Sequence, residues 1–188
     1  MNTNGQAAPA MPFEHLQQLQ QEARSNRFSL PEKQSEDKHW SGVSFTLNDQ
    51  RFAVQIGEVL EILPVPDTTP LPGVQPWAKG VANVRGRLLP IIDLGEFLGS
   101  KRSANKSVNR IMVIEQTELA AGLIVDEVQG MVHFSASNFS EKLPVDLPDV
   151  VQPFSTGSYL HQDILYSVFS TELLTMNPRF LKAAIDKF

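Results

Sequence analysis

Hydrophobic residues recur at every second position once the chain reaches Trp40. SGVSFTL sets Val43, Phe45 and Leu47 on one side, and RFAVQI does the same with Phe52, Val54 and Ile56. Only Asn48 and Asp49 stand between the two runs, and alternation on both sides of a two-residue polar turn predicts an antiparallel hairpin. After Gly57, EVLEILPV places Val59, Ile62 and Leu63 near one side of a helical turn but also suits a strand, and the pattern leaves both readings open. Pro64, Pro66, Pro70, Pro72 and Pro76 then exclude a regular helix and predict a stiff, defined path. GVANVRG and RLLPIIDL predict two more strands joined through Gly86. DLGEFLG predicts one or two helical turns, with Asp93 as cap and Gly99 as stop.

The second half repeats the scheme. GSKRSANKSVN predicts a polar loop, RIMVIEQ a strand and LAAGLIVDEV another, with MVHF continuing that strand or starting the next. Pro144, Pro148 and Pro153 punctuate a loop, and FSTGSYLHQDILYSVFS predicts a final hairpin. NPRFLKAAIDKF predicts a closing helix with Asn177 as cap and Pro178 in its first position, its apolar side carrying Phe180, Leu181, Ala184, Ile185 and Phe188. Many short strands at close spacing predict a mainly β protein built from small barrels rather than a doubly wound sheet. Residues 1–39 differ: they are rich in Gln, Ala, Ser and charge, and predict an arm with a short amphipathic helix from about Pro12 to Arg24. Residues 40–188 make the folded part.

Composition narrows the function. The 188 residues are 41% hydrophobic, enough for one domain or two small ones sharing a core. Sixteen basic against twenty-one acidic residues give a net charge of -5, which argues against nucleic acid and anionic lipid as partners. No cysteine is present, so disulfides, thiolate metal sites and thiol nucleophiles are excluded. No secretory leader or membrane-length apolar run is read, which predicts a cytoplasmic protein without direct membrane insertion. His15, His39, His133 and His161 lack the spacing of a metal-binding helix face. No phosphate loop or Gly-x-Ser-x-Gly elbow occurs, so neither an enzyme nor a cofactor is expected.

The notable charges are Arg85 and Arg87, separated by Gly86 just before an apolar run. If Gly86 makes the turn, Arg85 sits at a strand end with its guanidinium held out beside an uncovered backbone. Two readings stand: Arg85 neutralises an internal carboxylate such as Asp93 or Asp126, or it presents a fixed cation to another molecule. Glu58 and Glu61 read as a solvated acidic edge. Phe134, Phe139 and Tyr159, near polar loops, motivate a competing reading as a small-ligand-binding or enzymatic double barrel.

LPGVQPWAKGVANVRGRLLPIIDLGEFLG resembles the signature of the CheW-like adaptor family of bacterial chemosensory systems. RIMVIEQTELAAGLIVDEVQGM is similar to that family's later element and FTLNDQRFAVQIGEVLEIL to its opening hairpin and Val-x-Glu-Ile segment. The likeness runs from about Trp40 to Leu174. YSVFSTELL departs from it, lacking the aspartate that often follows the last apolar run. The resemblance implies two packed five-stranded SH3-like barrels and a non-enzymatic adaptor that couples the cytoplasmic tip of a chemoreceptor to the homologous domain of a CheA-type histidine kinase. It further implies that Val59, Gly80, Asn83, Arg85 and Gly86 face the receptor. Within the family the chain is most similar to the adaptors of type IV pilus systems, which serve twitching motility; the alternative is a flagellar chemotaxis adaptor.

Overall fold

The strands predicted by alternation pair into two antiparallel-rich sheets. The computed structural model describes residues 39–99, 108–116 and 119–183. The arm helix at Pro12 to Arg24, the loop cations Lys101, Arg102 and Lys106, and Ala184, Ile185 and Phe188 lie outside the described residues.

β1 (His39–Leu47) and β2 (Gln50–Gln55) form the first hairpin, with Asn48 and Asp49 at φ 49° and 64°. Two consecutive left-handed residues make a turn whose twist matches that of the strands. A 3₁₀ turn at Ile56–Glu58 leads into β3 (Val59–Pro64), which resolves the EVLEILPV segment as a strand. β4 (Ala78–Val84) and β5 (Arg87–Asp93) are the second hairpin. α1 (Leu94–Phe97) follows directly: Asp93 Oδ1 accepts from Glu96 N at 3.0 Å, and Gly99 ends the segment at φ 78°. β6 (Arg110–Gln116) and β7 (Leu119–Val125) pair next, and MVHF belongs to a separate strand, β8 (Glu127–Ser135). The short β9 (Phe139–Ser140) precedes the last hairpin, β10 (Ser155–His161) and β11 (Ile164–Phe169). α2 (Thr171–Thr175) and α3 (Pro178–Leu181) close the described chain. α3 is a single turn capped by Asn177, and it buries Phe180 but leaves Leu181 exposed, contrary to the amphipathic reading.

The strand order is β8-β1-β2-β11-β10-β9 in the first sheet and β3-β6-β7-β5-β4 in the second. The second has the expected five strands; the first has six, the extra one being the two-residue β9. Each sheet contains one parallel pair, β2 with β11 and β5 with β7. Each also curls round a small core of its own. In the second sheet Val84, Leu89, Ile91, Val113 and Ile124 meet, joined by Leu63. In the first, Phe134, Tyr159 and Tyr166 meet Ala53 and Trp40. A larger core unites the sheets, with Phe45, Phe52 and Phe169 from one and Met112, Ile114 and Leu123 from the other. This explains why RIMVI is apolar without alternation: Ile111 and Val113 face the inner core while Met112 and Ile114 face the shared one.

The aromatic residues read as a ligand groove are packing instead. Phe134 and Tyr159 stack with ring centroids 4.8 Å apart, and Trp40 stacks on Tyr159 at 5.1 Å. Burial pushes the Tyr159 phenol above its ordinary range. Phe139 covers the outer side of Tyr159 at 5.1 Å. The interior of the first barrel is therefore filled by side chains.

Candidate docking site at the edge of the second barrel

The turn between β4 and β5 is made by Arg85 and Gly86, at φ 50° and 83°. A left-handed arginine costs about 1 kcal/mol, and a local bond helps hold it: Asn83 Oδ1 accepts from Gly86 N at 2.7 Å. Asn83 thus shapes the turn from beneath. A Cβ placed on Gly86 would meet nothing within 4 Å, so its backbone is open to an approaching partner.

Arg85 carries a side chain that is 76% exposed, and its Nη2 forms an ion pair with Oε1 of Glu61. Neither Asp93, which caps α1, nor Asp126, which accepts from Asn48 N at 2.7 Å, is the partner shown for Arg85. Glu61 belongs to β3 and Arg85 follows β4, the two edge strands of the same curled sheet. The ion pair is therefore a clasp across the open side of one barrel, where an isolated bridge between Thr69 and Val81 also ties the proline-rich connection after β3 to β4. Arg85 is neither sealed inside nor unpartnered. One face of its fork is held by Glu61 and the rest is presented outward.

The neighbouring cation is arranged differently. Arg87 Nη1 and Nη2 donate to Glu115 at 3.3 and 2.8 Å in an exposed pair. These hydrogen bonds, and then the charge of Arg87, hold the Glu115 carboxyl below the usual range. Leu88, 70% exposed, stands opposite Asn83 and gives the tip an apolar side.

Of the five residues implied by family resemblance, Asn83, Arg85 and Gly86 come together at this tip. Val59 lies on β3 two positions before Glu61, half-buried against the shared core and opposite Ile114. Gly80 is buried in β4 at φ 124°, beside a register shift, and a Cβ there would lie 2.1 Å from the Thr69 carbonyl oxygen. The space over Gly80 is filled by the protein's own backbone, so the glycine serves the fold instead of leaving room for a partner. Glu58 and Glu61 do not form the solvated acidic edge expected from the sequence, since Glu61 pairs with Arg85 and Glu58 with Thr171. Past the register shift that follows Val59, Glu61 stands opposite Val113 and alternates with Leu63 on the side that faces the sheet's own core, a parity visible once the segment is read as a strand. Glu58 Oε2 accepts from Thr171 N at 2.9 Å and from Thr171 Oγ1 at 2.6 Å, tying the start of β3 to α2.

Among the described residues no group of three or more His, Cys, Asp or Glu is placed to hold a metal ion, and no helix is long and apolar enough to cross a membrane. The site offers a fixed cation, an open turn and an apolar neighbour, which suit recognition of another polypeptide.

Comparison with known proteins agrees with this geometry. The CheW-like domain model matches residues 41–174. Protein PilI of Pseudomonas aeruginosa is 44% identical over 174 residues, covering 93% of this chain and 97% of that one. The chemotaxis protein CheW of Thermotoga maritima is 26% identical, covering 64% of this chain and 76% of its own. The crystal structure of the scaffolding protein TtCheW from Thermoanaerobacter tengcongensis superimposes with a TM-score of 0.63 at 24% identity, over 73% of this chain and 94% of that one, and shows the same fold. The match across most of the chain, joined to the two curled sheets, establishes that this protein belongs to the CheW-like family and is an adaptor of chemotaxis-like signalling.

Proposed function

We propose that the protein is a non-enzymatic coupler between the cytoplasmic tip of a chemoreceptor and the regulatory domain of a CheA-type histidine kinase. It acts in the cytoplasm, recruited to receptor arrays at the inner membrane, in a pathway that controls type IV pili and twitching motility. The observation that carries the receptor contact is the Arg85 guanidinium, three-quarters exposed on a rigid turn with open backbone at Gly86. Its free donors can take backbone carbonyls or a carboxylate of a receptor hairpin. Val59, Asn83 and Gly80 support that surface from within, Asn83 by holding the turn and Gly80 by admitting the Thr69 segment beside β4. The pilus assignment is supported by 44% identity to PilI over nearly the whole chain, against 26% over a shorter span for the Thermotoga CheW.

The test is co-purification with a candidate receptor tip and kinase. Arg85→Asn removes the charge while leaving a turn-favouring Asn-Gly pair, so the hairpin is retained. Receptor binding should fall by about 1 to 3 kcal/mol, roughly 5- to 150-fold. Kinase binding and the melting temperature should change little. Arg85→Glu should weaken receptor binding at least as much. Receptor retention equal to wild type in both variants would refute the assignment.

A further inference from the structure

Parallel pairing of β2 with β11, in which Phe52 stands beside Ser167, brings the starts of both strands to one end of the first barrel. Each start follows a two-residue hairpin turn, so Asp49 and Asp163, the second residues of those turns, emerge at the same end. Gln50 Nε2 donates to the backbone oxygen and Oδ2 of Asp146 at 3.3 and 3.2 Å, drawing the 144–146 loop over them. Between the three segments lies an open cavity of about 300 Å³.

Its charged lining is Asp49, Asp146 and Asp163 against Arg51 alone. Among the described residues none of these four takes part in an ion pair. A second feature is independent of the charge. Ser167 also lines the cavity; it is 1% exposed, and its Oγ has no hydrogen-bond partner. Ser167 shares a face of β11 with Leu165, which lines the same cavity. A buried hydroxyl left without a partner is costly and uncommon in native structures. The rim is apolar: Ile164 and Leu165 are exposed, and Leu160, also exposed, stands opposite Leu165.

We propose that this end of the first barrel receives a lysine side chain from a partner protein. The methylene stem lies on Ile164 and Leu165, and the ammonium reaches the carboxylates of Asp49, Asp146 and Asp163 and the hydroxyl of Ser167. An ammonium has three donors around one compact charge, which suits acceptors arriving singly from separate segments, whereas the planar fork of arginine is best met by two oxygens of one carboxylate. The carboxylates do not form a group able to hold a metal ion. An exposed aliphatic rim continuous with the cavity fits a protein surface better than a free diamine. The site lies on a different sheet from Arg85 and stands independently of the receptor reading.

The experiment follows backbone amide resonances of the full-length protein during titration with Nα-acetyl-lysine methylamide, its norleucine counterpart and cadaverine. The lysine derivative should shift Asp49, Asp163, Leu165 and Ser167, the norleucine derivative should not, and added salt should weaken the response. Replacing both Asp49→Asn and Asp163→Asn should raise the dissociation constant at least about 10-fold. Asparagine tolerates left-handed backbone, so the hairpins persist and resonances elsewhere stay in place. Ser167→Ala should weaken lysine binding without lowering the melting temperature, because it deletes an unsatisfied group. The proposal is overturned by absent or scattered shifts, by an equal response to norleucine, or by binding that survives the double substitution. Cadaverine binding more than about 10-fold tighter than the lysine derivative would overturn the protein source in favour of a free diamine.

Discussion

Replacing Gly80 with alanine separates a fold requirement from a docking requirement. At φ 124° an L side chain is strained, and the new Cβ would lie 2.1 Å from the Thr69 carbonyl oxygen and 2.9 Å from Pro70 Cα. Both obstacles are backbone, so the proline-rich connection must move as a unit. That motion breaks the pair of bonds from Thr69 N to Val81 O at 2.8 Å and from Val81 N to Thr69 O at 3.0 Å. Strained φ costs about 1 to 3 kcal/mol, and each lost bond about 0.5 to 1.5 kcal/mol. Together the loss is about 2 to 6 kcal/mol, a large part of the roughly 5 to 15 kcal/mol that stabilises an ordinary domain. Gly86→Ala is the comparison: its φ of 83° is also left-handed, but nothing lies within 4 Å of the new Cβ. That change should cost only about 1 kcal/mol. Urea unfolding of the two variants, followed by tryptophan fluorescence, gives both numbers. If Gly80→Ala loses no more stability than Gly86→Ala, the reasoning from Thr69 fails.

Other outcomes follow from single contacts. Glu58→Ala should destabilise by about 1 to 3 kcal/mol in denaturant unfolding, since it takes the acceptor from the buried Thr171 N–H and hydroxyl proton, although Gln116 Nε2 still donates to Thr171 Oγ1; a change below about 0.5 kcal/mol would show that the tie to α2 is dispensable. Asp93→Ala should cost about 1 to 2 kcal/mol through loss of the α1 cap, and Asp93→Asn should recover part of it. Glu115 has its folded pKa lowered by Arg87, so its contribution to stability is present above the unfolded value and disappears as pH falls through the folded one. Glu115→Gln should therefore remove a small part of the acid-side dependence, and carboxyl titration by NMR should place the Glu115 midpoint below an ordinary glutamate's. A midpoint that does not move in Arg87→Gln would contradict that cause.

The hairpins were legible because two codes agree at each of them. Asn48-Asp49, Arg85-Gly86 and Gln162-Asp163 all take two consecutive left-handed conformations, and each interrupts a period-two pattern. EVLEIL was ambiguous because its apolar spacing fits one helical turn as well as a strand; pairing of β3 with β6 decided it. The family motifs pointed to Arg85, but its partner could not be read locally. Glu61 reaches it only because a five-stranded sheet curls until its edges face, and that curvature is set by the whole inner core. Resemblance places Gly80 at the receptor face, but a glycine in a sequence does not reveal which backbone lies against it, here that of Thr69. Phe134 and Tyr159 were misread near polar loops for the complementary reason: strand parity sends them inward.

The second sheet is assembled from β3 to β7, one unbroken stretch of chain, whereas the first needs β1 and β2 to wait for β8 and β11. A ribosome releasing this protein would deliver every strand of the inner module before the outer one could close. The first hairpin would meanwhile hold an unpaired edge, and closing the long loop to β11 is the slower event. Substitutions in β1 or β2 should accordingly expose the newborn chain to aggregation more than equivalent ones in β6 or β7.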